Sequence, residues 1–195
     1  TDPKYQYRPL WSVGASWFMA SEEFMSNVKW INRLNLRLTY GINGNVSKET
    51  GPYLTVEDYG YNNWTGDFSA NITSPPNPEL RWEKTAVTNI GVDFTMFNTR
   101  LNGTIDYYIR KSTDLLGNRD TDPTLGWSSL KVNYGSLNNK GIEVALGSIN
   151  ISKPDFEWRT NLNFSYNKNK ITKMKHSGTT VFSYVQGVVH TKGRP

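Results

Sequence analysis

Two groups of side chains in this 195-residue sequence have types and spacings that could do chemistry. Asn118, Asp120 and Asp122 offer oxygen donors at alternate positions, the spacing of the first ligands of a calcium loop. The glycine that turns such a loop and its distant bidentate glutamate are missing. The stretch therefore reads as a solvated turn ahead of Pro123. The two histidines, His176 and His190, have no serine or aspartate partner nearby in sequence. No HExxH, GxSxG or phosphate-binding loop pattern occurs. With no cysteine, disulfides and thiolate metal sites are excluded. The expectation is a protein that is not an enzyme and holds no cofactor and no metal.

The second group is aromatic. Tyr53, Tyr59, Tyr61, Trp64 and Phe68 crowd one loop-like stretch, and Trp127 sits in another. Such rings can stack on sugar faces or peptide side chains, contact a protein partner, or pack the loop on itself. All three readings stay open.

The elements that must position these residues are extended. Apolar and polar side chains alternate with period two in segments of roughly 10 residues, the length that crosses a bilayer at a tilt. The runs fall at 9–19, 34–43, 86–96, 101–110, 141–151 and 156–167, with a weaker seventh near 180–190. In the second, Leu34, Leu36, Leu38, Tyr40 and Ile42 oppose Asn35, Arg37, Thr39, Gly41 and Asn43. In the sixth, Phe156, Trp158, Leu162, Phe164 and Tyr166 oppose Glu157, Arg159, Asn161, Asn163 and Ser165. Strand aromatics such as Trp11, Trp17, Tyr40, Phe94, Tyr107, Trp158 and Tyr166 suit packing against lipid and interfacial girdles.

Connection lengths alternate as well. The links at 20–33, 97–100 and 152–155 are short, and those at 44–85 and 111–140 are long. In the first link, Ser21-Glu22-Glu23-Phe24-Met25 reads as a short capped helix. Short turns on one rim and long loops on the other are what a transmembrane barrel needs. A soluble sandwich gives no reason for that regularity. The fold expected is all-β, an antiparallel up-and-down transmembrane β-barrel, of which this chain is an incomplete portion of about six to eight strands. The inward polar positions Arg37, Asp93, Asp106, Glu143 and Arg159 would face a solvated or plugged lumen. The net charge of +5 is scattered. With no basic stripe interleaved with aromatics, no nucleic-acid partner is expected.

Several blocks then resemble the SusC/RagA group of TonB-dependent outer-membrane transporters from Bacteroidota. They are Trp11 to Trp17, Ser21-Glu22-Glu23-Phe24, and Leu36 to Asn45. They continue in Asn77-Pro78-Glu79-Leu80-Arg81-Trp82-Glu83-Lys84-Thr85, Gly91 to Phe94, Asn98 to Leu101, and Asp106-Tyr107-Tyr108. Thr113-Asp114-Leu115-Leu116, Asn133-Tyr134-Gly135 and Asn138 to Glu143 complete the series. The resemblance implies that residues 1–195 are part of one TonB-dependent-receptor barrel domain, with the plug domain and the last strands outside the stretch. It implies a multi-pass β-barrel in the outer membrane of a Gram-negative, Bacteroidota-like cell, surrounded by lipid. The TonB complex would act through a plug and TonB box, and a SusD-like surface lipoprotein would lid the barrel. The cargo implied is an oligomeric nutrient, glycan or peptide. The plug-facing role of Arg37, Asp93, Asp106, Glu143 and Arg159 belongs to the same expectation. A passive outer-membrane pore or adhesin, and a secreted carbohydrate-binding β-sandwich, are the alternative readings.

Overall fold

A chain whose side chains alternate at every residue forms extended backbone, and extended backbone pairs its N–H and C=O groups with a neighbour. The computed structural model describes residues 9–46, 53–122, 124, 126–127 and 129–174. The seventh run and both histidines lie outside the described residues. The strands are β1 (Trp11–Phe18), β2 (Ile31–Asn45), β3 (Thr55–Tyr61), β4 (Phe68–Ser74), β5 (Glu83–Met96), β6 (Leu101–Asp120), β7 (Ser129–Lys153) and β8 (Phe156–Met174). Six of them form one antiparallel sheet in the order β1-β2-β5-β6-β7-β8, while β3 and β4 make a separate hairpin.

Register sorts the side chains by face. One row across the sheet reads Trp17, Leu36, Val92, Ile105, Val144 and Phe164. The adjacent row, on the other face, reads Ser16, Arg37, Gly91, Asp106, Glu143 and Ser165. Large apolar side chains on the first face, including Val13, Leu38, Ile90, Leu162 and Phe164, are exposed. Among the described residues the buried hydrophobic core is Leu80 alone. A sheet this size with a bare apolar face is not satisfied by water.

The connections keep the expected rhythm, with three corrections. Residues 21–25 do not form a capped helix. Two 3-10 turns, Met19–Ser21 and Glu23–Met25, stand there without a side-chain cap. The Glu22 carboxylate instead accepts the Trp17 indole N–H at 2.8 Å. Residues 111–140 are not one long loop. β6 and β7 stay paired through Asp120 and Ser129, so the excursion is a tall hairpin with its tip at 121–128. The 44–85 link carries the β3–β4 hairpin. The β5–β6 turn holds Phe97, Asn98 and Thr99 at positive φ, a conformation that costs non-glycine residues energy. It is held by the Phe97 N–H donating to the Trp30 carbonyl at 2.8 Å, with the two rings stacked at 5.6 Å.

Val144 sits mid-band on a central strand. Replacing it with lysine should destabilise the assembled barrel by about 2–4 kcal/mol, the cost of a cation on a lipid-facing midplane position. Denaturant titration of the barrel in lipid vesicles reads this. A change near zero would mean that the apolar face does not meet lipid.

Candidate functional site

The polar face carries a charged cluster built from four strands. Arg37 on β2 grips Asp93 on β5 in a fork, Nε to Oδ2 at 2.7 Å and Nη2 to Oδ1 at 2.9 Å. The same Nη2 donates to both Asp106 oxygens on β6, at 3.2 and 3.3 Å. The buried Asn35 extends the chain, donating to Asp93 and accepting from the Ser16 hydroxyl of β1. Asn89 donates to Asp106 from the other side at 3.1 Å. Bidentate, charge-assisted bonds of this kind are short and directional, and here they tie β1, β2, β5 and β6 together on one face.

The reach depends on a gap. Gly91 lies between Arg37 and Asp106 in the register. A Cβ there would stand 2.5 Å from Asp106 Oδ1 and 2.8 Å from Arg37 Nη2. Arg37 thus crosses a whole strand over a residue with no side chain. Tyr108 repeats the device two strands on. It lies over Gly141 of β7, where a Cβ would meet its hydroxyl at 2.5 Å, and accepts from Asn167 of β8 at 2.9 Å.

Of the five inward positions singled out from sequence, the structure brings Arg37, Asp93 and Asp106 into one network. Glu143 is exposed beside Asp106 in register. Three carboxylates against one guanidinium leave this patch acidic. Arg159 stands apart, paired with Glu157 at 2.5 Å near the short-turn rim. Beyond Asp93, toward that rim, an open groove of about 630 Å³ is lined by Arg33, Thr95, Asn102, Asn161 and Asn163.

The loop aromatics separate into two settings. Tyr61 and Phe68 pair across the β3–β4 hairpin, their rings edge-on at 6.1 Å, with Val56 and Ile72 further along the same face. Tyr53, Tyr59, Tyr61 and Phe68 are exposed, and Trp64 at the tip is 96% exposed. Within 53–74 the charged residues are Glu57, Asp58 and Asp67, so the hairpin is acidic. Trp127 is half-buried at the β6–β7 tip, its carbonyl accepting from the Thr121 hydroxyl.

The residues of the calcium-like spacing divide between a strand and a tip. Asn118 and Asp120 belong to β6, and Asp122 caps the tip. The Thr124 N–H and hydroxyl, both donating to Asp122, hold its carboxyl below the usual carboxylate range. Among the described residues, no cluster of three or more metal-ligating side chains occurs.

Sequence reasoning gives Asn133 no role beyond its place in a resemblance block. It is 5% exposed on β7. Its amide donates to the carbonyls of Arg81 and of the left-handed Asp114, at 2.9 and 2.7 Å, and accepts the Arg81 N–H at 2.8 Å. Asn77 donates to the Lys131 carbonyl at 2.7 Å, and Glu83 accepts the Leu116 N–H at 2.8 Å. The stretch leading into β5 is thereby clamped onto the tall hairpin. An asparagine flanked by Val132 and Tyr134 gives no spacing signal for this.

Residues 2–188 match the family described as TonB dependent receptor-like, beta-barrel. The TonB-dependent receptor P3 of Formosa agariphila is 37% identical over 175 residues, covering 88% of this chain and 17% of its own length. The TonB-dependent receptor SusC of Bacteroides thetaiotaomicron is 33% identical over 170 residues, 84% of this chain and 17% of its own. The RagAB peptide importer in its closed-closed state aligns with a TM-score of 0.80 at 26% identity, over 94% of this chain and 20% of that one. The chain therefore spans about one sixth of the length of the curated relatives it matches.

The crossing at Gly91 predicts non-additivity. Gly91→Ala should displace the Arg37–Asp106 bonds and cost about 1–2 kcal/mol, and Asp106→Asn should then cost little more. Stability of the two single variants and the double variant in vesicles tests this. Fully additive losses would show that Arg37 does not depend on the gap. At the β6–β7 tip, Asp122 has a depressed pKa in the folded state. Its contribution is present above the ordinary carboxylate range and is lost only as the pH falls through that lower value. Protection of the Thr124 amide, measured against its intrinsic exchange rate at each pH, should therefore persist to a lower pH than the titration of an exposed aspartate would allow.

Proposed function

The chain belongs to the TonB-dependent receptor β-barrel family, and from that premise we propose that it is a stretch of the wall of an outer-membrane importer of oligomeric nutrients. The observation that carries the reading is the two-faced meander, apolar on one side and charged on the other, with short turns at one rim and tall excursions at the other. Only a closed barrel removes the free edges of β1 and β8 and gives each face its own solvent. The apolar face meets lipid. The polar face meets the lumen, where the acidic excess around Asp93, Asp106 and Glu143 faces a plug, and Arg159 lines the same surface lower down.

The long-loop rim lies outside the cell in this reading. There the exposed rings of the β3–β4 hairpin, Tyr53, Tyr59, Tyr61, Trp64 and Phe68, together with Trp127, contact a SusD-like lipoprotein or the cargo. Aromatic faces serve glycans and peptides alike, and the likeness to a peptide importer supports peptide as one candidate class. Energy arrives through TonB acting on the plug, so the wall contributes selectivity and support, with no bond chemistry of its own.

An affinity tag inserted beside Trp64, followed by pull-down from detergent-solubilised outer membranes and mass spectrometry, tests the assignment. The expected catch is a surface lipoprotein together with the rest of the receptor chain. A lone water-soluble species would overturn it. Trp64→Ala should leave barrel yield unchanged, because the ring packs on almost nothing here, while lipoprotein recovery or cargo uptake falls severalfold. Unchanged recovery and uptake would remove Trp64 from the contact surface.

A further inference from the structure

On the apolar face of four neighbouring strands, β5 to β8, the band of aliphatic and aromatic side chains ends at a lysine. Lys168 on β8 stands in register with Lys140 on β7. On β6 the first lysine is Lys111, one same-face position higher, since it pairs with Asn138, which in turn pairs with Lys170. On β5 it is Lys84, whose partner Thr113 lies two residues beyond Lys111. All but Lys84 are exposed. None of these lysines makes an ion pair among the described residues. The strand carboxylates Asp93, Asp106 and Glu143 all lie on the opposite face. Like charges directly across a ladder, as at Lys140 and Lys168, repel, so this arrangement calls for an anion.

The lysines also mark a plane. From β8 to β5 their boundary climbs four residues over three strand spacings. With about 3.4 Å per residue and about 4.8 Å between strands, the slope is about 43°. The other end of the same face has its own edge, set by Trp158 on β8 and Trp17 on β1. The register row of Trp17 reaches β8 at Phe164, six residues from Trp158. That edge climbs at about 40° in the same direction. Both slopes fall within the strand tilt of a transmembrane barrel, about 35–45°. Trp158 and Lys168 are ten residues apart on β8. At this tilt the rise between them is about 25 Å, the height of a barrel's apolar band, about 25 Å.

We propose that Lys84, Lys111, Lys140, Lys168 and Lys170 form a binding site for phosphate-bearing lipids of the outer leaflet, with ammonium groups of neighbouring strands sharing a headgroup phosphate. The proposal rests on the wall reading above, which places the long-loop rim outside. The lysines stand where hydrocarbon gives way to headgroups on that side. Charge-assisted bonds from several donors hold a phosphate there more firmly than a diffuse surface potential does.

The test uses the full-length receptor in detergent micelles, titrated with monophosphoryl lipid A, with bound copies counted by native mass spectrometry. Lys111→Gln, Lys140→Gln and Lys168→Gln should each weaken the apparent affinity about fivefold, and the triple variant about a hundredfold. The triple arginine variant should bind like the wild type. Unchanged affinity in the glutamine variants, single or triple, overturns the site, and the single variants decide if the triple does not assemble. In parallel, quenching of Trp158 by brominated phosphatidylcholine reads the wall reading itself. Quenched Trp158 with unchanged lipid affinity sinks only the lysine site, and unquenched Trp158 sinks both.

Discussion

A wall standing in hydrocarbon has no water to satisfy its backbone, so each N–H and C=O must be paired by a neighbouring strand. That constraint explains why β1, β2, β5, β6, β7 and β8 follow one another in the sheet with nothing inserted, and why the β3–β4 hairpin, which breaks the chain order, is excluded from it. It also explains where hydrophobic side chains go. A soluble domain hides them in a core, whereas here Leu80 is the buried one among the described residues and most of the large apolar side chains of the six-stranded sheet lie on one face. The pleat then leaves a second face with no apolar duty, free to carry charge.

What that second face does with its freedom is mechanical. Ladder hydrogen bonds tie each strand only to its neighbours, so the sheet can shear unless side chains span further. Arg37 and Tyr108 do this, each reaching across an intervening strand to the one beyond. Neither could cross a strand bearing a side chain at that point. Gly91 and Gly141 are therefore part of the same interaction as the residues that pass over them, although glycine in a strand interior is unfavourable by itself. A slip of one residue at any of these strands would put a side chain under the crossing and turn the polar row toward lipid.

The alternation that reveals a strand exists only where the two faces meet different solvents. Runs at 34–43, 86–96 and 101–110 were legible for that reason, as was the pairing of short and long links. Where β6 and β7 rise clear of the apolar band, both faces meet water. Segments such as Leu116-Gly117-Asn118-Arg119 then lose the period while keeping the ladder, and sequence reads them as loop. The β3–β4 hairpin is obscured differently: a register shift between Asp58 and Gly60 breaks its alternation at Tyr59. The polar network was half visible. Period two places Arg37, Asp93 and Asp106 on one face, but only the register decides that they meet and that Arg159 does not.

Asn133 belongs to a class that periodicity cannot reveal, because its partners lie 52 and 19 residues away and are backbone groups. Its position gives it a role in the architecture. Three stretches that carry the family resemblance, 77–85, 113–116 and 133–135, converge on this one amide, where the membrane-spanning part of the sheet gives way to its excursions. Buried side-chain-to-backbone bonds are costly to leave unmade, so they fix the path of the chain as it re-enters the sheet at β5. The β3–β4 hairpin precedes that entry and shares no ladder with β2, β5 or β6. The paired wall and the hairpin that leaves it are thereby separated at a clamped seam, and Tyr53, Tyr59, Tyr61, Trp64 and Phe68 fall on the hairpin side of it.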